Sequence, residues 1–213
     1  MEPGAHTATM EAGWGGGASP FGATWQKTMM WIFIVTDALL FSGLLCGYAF
    51  LRQANPARWP NRAEVFSIPF IALMTFILIT SSMTMGTAVT AARLGDRKKA
   101  LANVVFTIIG GAAFLSCQAY EWTHLIREGA RLTGPIAGSE LIEKGVTSQF
   151  TQAFFLLTGF HGSHVLSGLV ILIITAIRTA MGKTGAQGVE MAGLYWHFVD
   201  LVWVFIFTLF YLL

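Results

Sequence analysis

Five stretches of largely apolar residues, each bracketed by charge or by the chain end, occupy most of the sequence after Lys27. A helix rises about 1.5 Å per residue, so about 20 apolar residues cross a hydrocarbon layer of about 30 Å. The stretches lie between Lys27 and Arg52, Glu64 and Arg93, Lys99 and Glu121, about Gln149 and Arg178, and Met191 and the C-terminus. In lipid the backbone must satisfy its own polar groups, which a helix does within each segment. The sequence therefore predicts an all-α fold, a polytopic membrane helix bundle with five transmembrane helices. Their expected spans are approximately 28–52, 67–92, 99–122, 149–178 and 191–213, within a bundle covering residues 27–213. Residues 1–26 are glycine-rich and carry no apolar core, which predicts a flexible tail. They also lack the basic start and hydrophobic centre of a secretory signal.

Composition points the same way. Only 11% of the 213 residues are charged and 54% are hydrophobic, whereas soluble domains carry about a quarter charged residues. Nucleic acid is set aside as a partner despite the net charge of +2. Cys46 and Cys117 fall inside apolar runs and form no CxxC, CxxCH or zinc spacing, so neither a thiolate copper site nor cysteine-attached haem is expected. Both read as buried packing residues.

Lysine and arginine distribution sets orientation. One side holds seven basic residues, Lys27, Arg93, Arg97, Lys98, Lys99, Arg178 and Lys183, against six on the other, Arg52, Arg58, Arg62, Arg127, Arg131 and Lys144. The dense 93–99 loop, and the glutamates that accompany the other set, place the N-terminus inside and the C-terminus outside. Small residues four apart allow close helix approach in lipid. Gly43 with Gly47, Ser82 with Gly86 and Thr90, and Gly159 with Ser163 and Ser167 mark expected packing faces.

The candidate chemistry lies in the few polar groups at membrane depth, where an ionisable residue is a functional hypothesis by default. Asp37 sits ten residues past Lys27, near the middle of the first span. It serves either as a proton-handling group or as a protonated acid holding two helices together. His161 and His164 share one helix face, as do His197 and Asp200. Such a set forms a metal or haem site, or a set of interhelical hydrogen bonds fixing the register of the fourth and fifth helices. Glu121 and His124 match the Glu-x-x-His of di-iron bundles, but that site needs two such motifs and two further glutamates. A metal site is not expected there. Aromatics ring the fifth helix on all sides, which predicts a helix with no single polar face.

TGFHGSHV at 158–165 followed by YWHFVDLVW at 195–203 resembles subunit III of the haem-copper respiratory oxidases, in the short five-helix bacterial form of cytochrome c oxidase subunit III. FIVTDALLFSG at 33–43, Pro69, GDRK at 95–98 and QAYEW at 118–122 keep step with it. The resemblance implies an accessory subunit of a proton-translocating terminal oxidase in aerobic electron transport. Such a subunit packs on subunit I, within a complex holding subunit II, and supports proton uptake and stability. Haem and copper are then expected in partner subunits and none in this chain. Asp37 matches the family's buried carboxylate. Arg178 matches an arginine used on lipid headgroups, which makes phospholipid an expected ligand. His161, His164, His197, Asp200 and Glu121 become structural polar groups. The implied location is the bacterial inner membrane, with a respiratory supercomplex as a further partner. The longest members carry two additional helices before Lys27, and a partner subunit would have to supply that wall. Subunit III of a quinol oxidase, a membrane cytochrome using His161 or His164 with His197, and a small transporter using Asp37 are the alternatives.

Overall fold

The computed structural model describes residues 24–55, 59–61 and 65–212. The glycine-rich segment expected to form a tail, and Arg58, Arg62 and Glu64, lie outside the described residues or at their edge. Five helices are long and apolar enough to cross a membrane, and no strand occurs among the described residues. They are α1 (Trp25–Ala54), α2 (Ile68–Arg93), α3 (Arg97–Arg127), α4 (Ser148–Ala180) and α5 (Ala186–Ile206). The last of these widens into a π-helical end, Phe207–Leu212. The chain is a multi-pass membrane protein.

Helix ends follow local chemistry. Pro69 falls in the first turn of α2, where a missing N–H costs nothing. Asp96 caps α3, its carboxylate accepting the Lys99 N–H at 3.0 Å. α3 runs on to Arg127 and α5 starts as early as Ala186. Those terminal turns are polar, so they extend beyond the apolar stretches that mark the spans. The loop between α3 and α4 holds a single helical turn, Glu140–Glu143.

α5 is the hub of the bundle. It packs on α2, α4 and α1, while α3 lies against α2 and α4. In its most apolar window 56% of residues are buried, against 11% for α1, which flanks the bundle. The ring of aromatics on α5 follows from that position. Trp196, Phe198, Trp203, Phe210 and Tyr211 are buried, and Phe205 faces outward.

Trp196 shows how small residues make room for this hub. Its ring lies against Gly111 of α3 and Gly168 of α4, and a Cβ at Gly168 would sit 3.0 Å from ring atom Cε3. Its indole N–H donates to Ser81 Oγ of α2 at 3.2 Å, and Ser81 in turn donates to the Thr107 carbonyl of α3 at 3.1 Å. Two turns on, Trp203 donates to Thr75 Oγ1 of α2 at 3.0 Å. In an apolar medium an unpaired indole N–H is costly, so these partners fix the rotation of α5.

Two expectations about packing fail. Among the described residues, Gly43 and Gly47 have no atom within 4 Å of a Cβ built on them, and Gly86 is equally open. The Gly43–Gly47 stripe faces away from the bundle, because α1 turns its Phe41, Leu45 and Tyr48 edge inward instead, while on α2 only Ser82 of its stripe meets α5 and Gly86 stays open. Cys46 is exposed on that same outer face, and Cys117 is only half-buried. Gly159 does pack as expected, against the Trp122 ring.

Candidate functional site

The expected site residues form three separate interior clusters and one surface cavity. In the first cluster, α1 presents Asp37 to α4. Asp37 Oδ2 lies 3.3 Å from His164 Nε2, both side chains being largely buried. His164 Nδ1 lies 2.8 Å from the Phe160 carbonyl oxygen of its own helix. A carbonyl only accepts, which assigns the hydrogen to Nδ1. Asp37 Oδ2 has distance but not alignment on its side, and makes no well-aligned hydrogen bond among the described residues.

His161, one turn before, turns elsewhere. It is wholly buried, stacked on Trp203 at 5.3 Å and edge-on to Phe114 at 5.9 Å. Neither of its ring nitrogens has a hydrogen-bond partner among the described residues. Aromatic contact, rather than the hydrogen bond expected, holds this imidazole. The cause is its neighbourhood, which is built of rings.

The second cluster joins α5 to α2. Ser82 Oγ lies 2.6 Å from His197 Nδ1 and also beside the Asp200 carboxyl. The carboxyl oxygens of Asp200 have no well-aligned partner. His164 therefore ties α4 to α1 and His197 ties α5 to α2, while α4 meets α5 through the His161 ring stacked on Trp203 and through Ser167 and Tyr195, whose hydroxyls are 2.6 Å apart.

The third cluster lies near the opposite end of the bundle from the Arg93–Arg97 turn. Glu121 Oε2 accepts from Gln118 Nε2 at 3.0 Å and from the Tyr211 hydroxyl at 3.2 Å. Glu121 is thus a tether between α3 and the π-helical end. Tyr211 gave no sign of this role in the sequence, where it read as one more aromatic. Among the described residues, no three His, Cys, Asp or Glu side chains gather as a metal-ligand set.

At the basic end, Arg178 is exposed and lines an open cavity of about 490 Å³ with Lys183, Gln187, Thr175, Ile174 and Met191. Two cations above an apolar wall make an amphipathic recess. Beside it Glu190 receives Lys27 Nζ at 2.6 Å and Arg93 Nη2 at 3.0 Å, joining α1, α2 and α5. Sequence reading passed over Glu190. The clue was that Glu190 and Asp96 are the acids beside seven basic residues expected at that end, and Asp96 is used as a helix cap.

Comparison with known proteins agrees with this architecture. The family model for cytochrome c oxidase subunit III matches residues 6–213. The chain is 35% identical over 186 residues to cytochrome c oxidase subunit 3 of Bacillus sp. (strain PS3), covering 86% of this chain and 83% of the relative. It is 36% identical over 188 residues to quinol oxidase subunit 3 of Bacillus subtilis (strain 168), covering 86% and 84%. Cytochrome bo(3) ubiquinol oxidase subunit 3 of Pseudomonas aeruginosa is 35% identical over 186 residues, covering 86% and 82%. The chain belongs to the cytochrome c oxidase subunit III family and is the subunit III of a multi-subunit oxidase complex.

Proposed function

We propose that this chain is the accessory subunit of a haem-copper terminal oxidase, packing on subunit I and holding no redox centre of its own. The observation that carries this reading is the commitment of His164. One ring nitrogen faces the Phe160 carbonyl at 2.8 Å and the other faces Asp37 at 3.3 Å. Both are engaged within the chain, as is His197 Nδ1 by Ser82 at 2.6 Å. Imidazoles used this way fix helix rotation. The haem and copper then belong to partner subunits, and the sparsely buried α1 is the helix best placed to lie against a partner.

Asp37 in this reading supports proton uptake by the neighbouring subunit, from its place beside His164. The cavity under Arg178 takes a phospholipid, with the headgroup phosphate on Arg178 and Lys183 and the acyl chain along Ile174 and Met191. The basic end, bound together by Lys27, Glu190 and Arg93, lies on the cytoplasmic side of the bacterial cell membrane.

The names of the relatives favour two electron donors, cytochrome c and quinol. Oxygen consumption by the purified complex with reduced cytochrome c, and separately with a quinol, distinguishes them. Activity with cytochrome c supports the cytochrome c branch, and activity with quinol alone assigns the complex to the other.

A further inference from the structure

A second recess at the basic end lies outside the expected roles. It is a cavity of about 330 Å³ between the α2–α3 turn and the α4–α5 turn, bordered by Arg97, Thr179, Thr184, Gly185 and Ala186. Thr179 is 3% exposed, and its hydroxyl makes no hydrogen bond among the described residues. A threonine in a helix ordinarily bonds its hydroxyl to the carbonyl one turn earlier, as Thr175 does to Ile171 at 2.8 Å. Thr179 forgoes that bond while lining the cavity. The Thr184 hydroxyl is likewise buried and unpaired.

The same cavity receives the start of α5. Its N-cap is Gly185, so no side chain caps the helix. Gly188 N–H already donates to the Gly185 carbonyl at 3.1 Å, but the two amides before it have no partner within the helix, and the helix dipole adds partial positive charge there. Arg97 supplies a full charge. Its guanidinium lies over Gly182, which has φ 73° and where any Cβ would collide with it. The nearby acid on α5, Glu190, is already held by Lys27 and Arg93.

The guanidinium and the uncapped helix start only donate, and the two unpaired buried hydroxyls can each donate as well as accept, so the recess is weighted toward an anion. We propose that this recess, which shares Thr184 and Gly185 with the Arg178 cavity, is a phosphate-binding site, with Arg97, Thr179, Thr184 and the first α5 amides as its donors. The phosphate comes either from a lipid headgroup or from solution.

The test uses the intact oxidase complex in phosphate-free mild detergent, titrated calorimetrically with inorganic phosphate and with phosphatidylglycerol bicelles. Arg97→Gln and Thr179→Val should each weaken binding about tenfold or more, while Thr179→Ser, which keeps the hydroxyl, should bind as wild type. Weakening toward inorganic phosphate identifies a free anion, and weakening toward the lipid alone identifies a headgroup. Thr179→Val is nearly isosteric, so it carries the test if Arg97→Gln fails to assemble. Wild-type affinity of Thr179→Val for both probes would overturn the proposal. Arg97 and Thr179 line this recess and not the Arg178 cavity, so their variants are distinguished from the effect of Arg178→Ala on retained lipid.

Discussion

Asp37 of α1 and His164 of α4 meet 3.3 Å apart in the bundle interior, with the other imidazole nitrogen held by the Phe160 carbonyl. The carboxyl of α1 thus meets the one imidazole nitrogen that the α4 backbone leaves open, and the contact joins the two helices at membrane depth.

Asp37→Asn keeps a donor toward Nε2, so the complex should assemble and turn over with only a modest rate change. Asp37→Leu removes the partner and strands a buried imidazole nitrogen, a loss of about 1–3 kcal/mol. Thermal melting of the purified complex should show a clear drop for Leu and little for Asn. Equal behaviour of the two variants would remove the pair from any structural role.

Trp196 offers a packing test. Gly111→Ala drives a methyl group into the indole and against Leu169, and the same indole is already close against Gly168. Overpacking of this kind costs about 1–3 kcal/mol. A double variant, Gly111→Ala with Trp196→Leu, should recover part of that loss in the same melting assay, because the collision partner is gone.

Glu190 joins three helices at the basic end, but its partners Lys27 and Arg93 are partly in solvent. Glu190→Gln should cost less than about 1 kcal/mol, and the difference from wild type should shrink as salt is raised. Melting curves at low and high ionic strength check this.

Arg178→Ala removes a cation from the larger cavity at the basic end. Anionic phospholipid retained through mild-detergent purification should fall, as read by mass spectrometry of extracted lipid, while neutral lipid stays unchanged. Unaltered anionic lipid would detach Arg178 from headgroup binding.

The five spans were legible because span length is a local property, set by twenty or so consecutive residues. The pairing of polar groups was not. His197 finds Ser82 across 115 positions and Tyr211 finds Glu121 across 90. Sequence spacing correctly placed His161 and His164 on the interior side of one helix, yet one turn of helix sends them to different neighbours. The glycines of α1 misled because a small-residue stripe serves a close contact without saying with whom. On α1 no other helix of the chain fills it, whereas Gly111 and Gly168, which formed no such stripe, hold the ring at the centre. Glu190 was invisible as a junction because its partners come from two other helices.

The central claim is that the interior histidines and carboxyls hold helices rather than a metal. It is tested by separating this polypeptide from its complex in mild detergent and measuring its iron, copper and Soret absorbance. Background levels in the separated chain, with haem and copper retained by the remaining subunits, are the predicted result. Stoichiometric iron or copper travelling with this chain would contradict it.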